Sequence, residues 1–127
     1  MVGIVLVSHS PALALGLSDL LAQIGSSEVP VAVAGGTASG DLGTSSEAVE
    51  RALEAVASPD GVVIIPDLGS AVLTVKAVLA ERDDNGFVLV DAPFVEGAVA
   101  AAVTAASGGS LDVVVQAAKE ARDVPKF

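Results

Sequence analysis

A chain of 127 residues, 52% of them apolar, has room for one hydrophobic core and little for a second. It contains no cysteine and one histidine, which excludes disulfides, thiolate nucleophiles and multi-histidine metal sites. Its formal charge of −10, with no Lys or Arg before Arg51, argues against binding to nucleic acid or to an anionic membrane face, and three phenylalanines without Trp or Tyr make no stacking platform for a flavin or bases.

The first apolar run, Val2 to Ser8, reads as a strand. It is far shorter than the ~18 residues needed to cross a bilayer and lacks a basic leader, so a soluble, cytoplasmic protein is expected. Ser10-Pro11 follows as an N-cap with proline at the first helical position, where the missing N–H costs nothing. Leu13, Leu17, Leu20, Leu21 and Ile24 recur at spacings of three and four and read as the buried stripe of the first helix. A second strand is predicted over Val29 to Ala34, followed by a loop from Gly35 to Gly43. Thr44-Ser45-Ser46-Glu47 has the spacing of a capping box and opens a second helix with Val49, Ala52, Leu53 and Val56 turned inward.

The third strand, Gly61 to Pro66, runs through Asp67 into a helix from Leu68 to Glu81, which uses Val72, Val75, Val78 and Leu79 for its core face. Asp83-Asp84-Asn85-Gly86 reads as a solvated turn, because it lacks the ligand spacing and closing glutamate of a calcium loop. A fourth strand, Phe87 to Asp91, precedes an Ala-rich helix from Phe94 to Ala106 that should pack close to the sheet, with Glu96 favourably placed in its first turn. The Ser107-Gly108-Gly109-Ser110 break then leads to a fifth helix, Leu111 to Arg122.

This alternation is the pattern of βα units, so the expected fold class is α/β, a three-layer α/β/α arrangement around a mainly parallel sheet, with residues 1–127 forming a single domain. The strands are nearly all apolar, as expected where helices cover both faces. In such a sheet the loops that follow the first three strands lie at the carboxyl edge, where ligand sites form. Right-handed crossovers allow the order 2-1-3-4, which makes strands one and three neighbours and sets His9 against Asp67; other orders place the two residues farther apart.

That pair has a specific chemistry. A neutral imidazole attacks phosphorus through one nitrogen when the other donates its N–H to a fixed acceptor that selects the tautomer and stabilises the developing positive charge. Asp67 suits the second role only from the far side of the ring, since at an effective dielectric of 20 a carboxylate 4 Å from each negative unit of a phosphoryl group costs roughly 4 kcal/mol. The phosphoryl oxygens are expected on backbone N–H groups after Ser10 and in the glycine loop at Gly36, with hydroxyls from Thr37 and Ser70. No metal or cofactor is expected.

Taken singly, His9 reads as a capping or surface residue, Asp67 as an N-cap and Gly35-Gly36 as a turn; their joint placement at one sheet edge is what points to chemistry. A receiver-like domain requires an acidic pocket after the first strand, where this chain has Ser8-His9-Ser10, and a P-loop requires Gly-Lys-Ser or Gly-Lys-Thr. A hydrolase triad of Ser70, His9 and Asp67 lacks the Gly-x-Ser-x-Gly elbow, and Ser70 follows Asp67 too closely in sequence for that arrangement to be natural.

Five segments in order, Ile4 to Ser10, Gly35-Gly36-Thr37, Leu42-Gly43-Thr44-Ser45, Asp67-Leu68-Gly69-Ser70-Ala71 and Asp91-Ala92-Pro93-Phe94-Val95-Glu96-Gly97, give the chain a resemblance to the DhaM phosphocarrier subunits of phosphoenolpyruvate-dependent dihydroxyacetone kinase. Their fold is similar to the EIIA domain of mannose-type sugar phosphotransferase systems. The resemblance implies a homodimeric phosphotransferase subunit of a phosphoenolpyruvate–glycerone phosphotransferase. The histidine matching His9 takes a phosphoryl group from phospho-HPr and passes it to ADP on the DhaL subunit, while DhaK holds dihydroxyacetone. In mannose-type relatives the aspartate matching Asp67 orients the histidine. The Asp91 to Gly97 segment favours the dihydroxyacetone branch, because mannose-type domains usually carry an Asn-Leu-Pro-Met stretch there. Longer family members carry HPr-like and enzyme I-like domains after this one, so a separate donor is expected. The alternatives are an EIIA component of a mannose-type sugar transporter and a non-catalytic regulatory docking module.

Overall fold

The computed structural model describes residues 1–25, 27–37 and 39–127. Ala38, within the expected loop, and Ser26 lie outside the described residues. Four strands, β1 (Gly3–Ser8), β2 (Val31–Gly35), β3 (Val62–Pro66) and β4 (Phe87–Leu89), alternate with α1 (Pro11–Ile24), α2 (Ser46–Val56), α3 (Gly69–Ala80) and α4 (Phe94–Ala106). Helix α5 (Leu111–Glu120) follows and passes into a single 3-10 turn at Ala121–Asp123, where the sequence predicts continuous helix to Arg122. The sheet is parallel throughout, in the order β2-β1-β3-β4.

Alternating side chains on the two central strands build two cores. Val2, Ile4, Leu6, Val63 and Ile65 pack with α1, α4 and α5, while Val5, Val7, Val62 and Ile64 pack with α2 and α3. The result is the expected three-layer arrangement. β1 and β3 are buried along their whole length, whereas β2 and β4 are largely half-buried because they form the sheet's edges. An all-apolar edge strand thus looks like a central one in sequence. Pro30 lacks an N–H, so β2 starts at Val31, although the Pro30 carbonyl still accepts from Ile4.

Helix α2 buries the predicted Val49, Ala52, Leu53 and Val56. Helix α4 turns Ala98, Ala101, Ala102 and Ala105 inward, small side chains that allow close packing. On α1 the stripe is turned relative to the sequence pattern: Ala14, Leu17 and Leu21 are buried, while Leu13 and Ile24 are about half exposed, at 44% and 51%. Ala14 is short enough to sit under the sheet, which draws that side of the helix inward. Helix α3 likewise buries Ala71, Val75 and Val78, with Val72 and Leu79 half-buried.

The capping of α2 also differs from the expected box. Ser45, not Thr44, is the N-cap, its Oγ accepting from the Ala48 N–H at 3.3 Å and donating to Glu47 at 3.1 Å. Thr44 instead forms an isolated parallel bridge with Gly36. Among the described residues, no helix is long and apolar enough to cross a membrane.

Candidate functional site

β1 and β3 pair in parallel, with Val7 opposite Pro66, so the residues that leave the two strands emerge side by side. Asp67 donates its N–H to the Val7 carbonyl at 3.0 Å and thereby holds its side chain against the chain leaving β1. On the β1 side, Ser10 stops the strand and caps α1 by accepting from the Leu13 N–H at 3.2 Å, with Pro11 at the first helical position. His9 is held between these two local events.

The Asp67 carboxylate accepts four hydrogen bonds. Oδ1 receives the His9 ring Nδ1–H at 3.0 Å and the Leu68 N–H at 2.7 Å; Oδ2 receives the Ser8 hydroxyl at 2.8 Å and the His9 N–H at 3.1 Å. Burial alone would raise the carboxyl's pKa, but these donors, Ser8 foremost and then the His9 ring, outweigh it and hold the group below its ordinary 3.8. A carboxylate has no proton to give, so Nδ1 carries the ring's hydrogen and Nε2 keeps a lone pair. That lone pair meets the hydroxyl of Ser70, from which it accepts a hydrogen bond.

Ser8 is the residue that sequence reasoning misses. It is the only polar residue buried as a whole among the described residues, and its Oγ accepts the Ser10 N–H at 3.0 Å while donating to Asp67. The available signal is a hydroxyl at the end of an otherwise apolar buried strand, where an unpaired polar group is costly.

The structure brings His9, Asp67 and Ser70 together, and the short separation of Ser70 from Asp67 proves no obstacle: Asp67 leaves β3 and Ser70 stands in the first turn of α3, so one bend puts them on two sides of the same ring. The other predicted phosphate ligands are engaged locally. The Ser10 N–H is on Ser8, and the Gly36 N–H donates to the Ser8 carbonyl at 3.2 Å. Thr37 donates its N–H to the Asp41 carbonyl at 2.8 Å and shares its hydroxyl with Ser39 at 3.1 Å. Gly36 serves packing: its φ is +76°, and an added Cβ would lie 2.6 Å from Pro11 Cγ, so only glycine lets this loop cross the start of α1. At α3 the first intrahelical bond runs from the Val72 N–H to the Leu68 carbonyl, so the N–H groups of exposed Gly69 and Ser70 ahead of it have no intrahelical acceptor and suit an anion, whereas Ala71 is buried.

A cleft of about 610 Å³ opens beside Asp67, lined among others by Leu68, Lys76, Leu89 and Asp91. His9 does not line it; the imidazole, 27% exposed, stands at the surface. The arrangement is a nucleophilic nitrogen braced from behind by a carboxylate and faced in front by a hydroxyl.

Residues 3–115 match the family model described as PTS system fructose IIA component, EIIA-man. The chain belongs to this family. Within the EIIA-man family it is similar to the PEP-dependent dihydroxyacetone kinase phosphoryl donor subunit DhaM of Escherichia coli K12, with 38% identity over 121 residues. That match covers 91% of this chain but 26% of the relative. The corresponding subunit of a second such kinase in Listeria innocua is 32% identical over 119 residues, and there 91% of this chain covers 95% of the relative. Among solved structures, a protein of unknown function, EF1359, superposes with a TM-score of 0.80 at 31% identity over 92% of each chain. The EIIA component of a phosphotransferase system from Streptococcus agalactiae has a TM-score of 0.74 at 19% identity over 100% of this chain and 98% of that one, a likeness of fold.

Proposed function

We propose that this EIIA-man chain is a phosphohistidine carrier of DhaM type that takes a phosphoryl group from phospho-HPr on His9 and transfers it to ADP held by a DhaL subunit, with DhaK binding dihydroxyacetone. One observation carries the reading: Nδ1 of a surface histidine is committed to the Asp67 carboxylate, so Nε2 is the nitrogen left to react. Nε2 attacks the phosphorus of the donor; the P–N bond to the donor's histidine breaks and that ring recovers its electron pair. The positive charge that develops on His9 is stabilised by Asp67 behind it. A β-phosphate oxygen of ADP then attacks phosphorus, the P–Nε2 bond breaks, and His9 returns to its neutral Nδ1–H form as ATP leaves.

The partly exposed imidazole of His9, outside the cleft beside Asp67, supports exchange between docked proteins rather than with an enclosed small molecule. The Ser70 hydroxyl and the N–H groups of Gly69 and Ser70 at the start of α3 suit the phosphoryl oxygens. Similarity to dihydroxyacetone kinase subunits from several bacteria favours that branch over mannose-type transport. In this reading residues 1–127 act as one domain, in the cytoplasm, as a homodimer. Incubation with phosphoenolpyruvate, enzyme I and HPr labels the wild-type chain with acid-labile phosphate and leaves His9→Ala unlabelled. Equal labelling of the two ends the proposal.

A further inference from the structure

The capping of α2 frees a hydroxyl that the local sequence assigns to the helix. Because Ser45 caps, the Thr44 side chain has no role in the helix start, and its Oγ1 lies 3.4 Å from Ser70 Oγ. Ser70 in turn rests on Nε2 of His9. Thr44 is also held in place independently of its hydroxyl. It bridges to Gly36, whose N–H is on the Ser8 carbonyl, and the neighbouring Gly43 N–H donates to the His9 carbonyl at 2.9 Å. The loop bearing Thr44 is thus fastened at two points to the strand end that carries the nucleophile.

We propose that Thr44 is a positioning residue for phosphoryl transfer, and that Thr44 and Ser70 form a hydroxyl pair that turns from Nε2 toward the phosphoryl oxygens when phosphorus occupies that nitrogen. This deepens the phosphohistidine reading and rests on it. In the free protein Ser70 donates to the Nε2 lone pair, and Thr44 Oγ1–H is directed at Ser70 Oγ. Once that lone pair forms the P–N bond, Ser70 loses its acceptor and its O–H is released. The phosphoryl group brings three oxygens carrying negative charge, and the side-chain donors that the structure places at Nε2 are the hydroxyls of Ser70 and, behind it, Thr44. With Ser70 turned away from the ring, Thr44 is released as well and adds a second O–H to the same anion. Thr37, the threonine that the glycine loop suggests, has its hydroxyl on Ser39 instead.

The test compares wild type, Thr44→Val and Thr44→Ser as intact chains, phosphorylated with phosphoenolpyruvate, enzyme I and HPr. It reads the rate of labelling and the ³¹P titration of the phosphohistidine. Thr44→Val keeps the side chain's shape without its donor; labelling is expected to slow about tenfold and the phosphoryl titration to move to higher pH, because a dianion with one fewer donor is harder to form. Thr44→Ser restores the donor and should stay within about twofold of wild type. Wild-type rate and titration in Thr44→Val overturn the proposal, as does an equal loss in Thr44→Ser, which assigns the effect to packing. A wild-type chain that takes no label on His9 instead defeats the carrier reading itself.

Discussion

The two sides of the His9 ring are built differently. Behind it, Ser8, the His9 backbone and Leu68 converge on one carboxylate whose side chain is 8% exposed, and each hydrogen bond there joins residues held by β1, β3 or the start of α3. In front of it, Thr37, Ser39, Gly40 and Asp41 bond to one another, and the groups nearest Nε2 are the hydroxyls of Ser70 and Thr44. The difference suits a carrier. The rear must hold one tautomer without adjustment, whereas the front must accept and release a phosphoryl group and therefore needs donors able to rotate.

The largest expected effect comes from breaking the rear. Asp67→Asn keeps the shape but removes the charge, and its amide N–H₂ confronts donors where an acceptor was needed. The loss of a charge-assisted hydrogen bond of ~2 to 3 kcal/mol predicts labelling of His9 slowed roughly a hundredfold. Single-turnover labelling with phospho-HPr checks this, and a rate near wild type would dissociate the carboxylate from the chemistry.

Ser8→Ala tests the brace one step further back. The Ser10 N–H loses its buried acceptor and Asp67 loses one of four donors. A destabilisation of ~1 to 3 kcal/mol is expected in urea unfolding, with a smaller loss of labelling rate than for Asp67→Asn.

Acid titration of stability sharpens the same point. The Asp67 pKa is lower folded than unfolded, so its contribution is fully present above the unfolded value and is lost as pH falls from about 3.8 through the folded value. Ser8→Ala moves the folded value back up, and acid unfolding followed by circular dichroism should begin at higher pH than in wild type. In Asp67→Asn this component disappears, and the stability difference from wild type narrows as pH falls.

The smallest effect is expected on the loop in front. Thr37→Val removes a hydroxyl shared with exposed Ser39, and stability should change by less than about 0.5 kcal/mol with labelling within about twofold. A tenfold loss there would return the phosphoryl-binding role to Thr37 and contradict the assignment of Thr44.

Much of this molecule follows from local rules that any stretch of the chain obeys alone. Alternating β-branched runs and helical stripes define the α/β class, Ser10-Pro11 starts α1, and apolar periodicity picks out the buried face of α2. The facing of His9 and Asp67 is partly legible too, since each directly follows a strand and right-handed crossovers permit, without requiring, an order that makes those two strands neighbours. What tertiary structure decided is which polar groups meet once the loops are in place. Ser45 rather than Thr44 caps α2, Thr37 closes its own loop, Thr44 reaches Ser70, and Ser8 lies buried under Asp67. A hydroxyl's partner depends on angles and distances between segments remote in sequence, and a difference of one residue in a cap or a fraction of a turn in a helix reassigns it, whereas burial patterns average over many residues and survive such shifts.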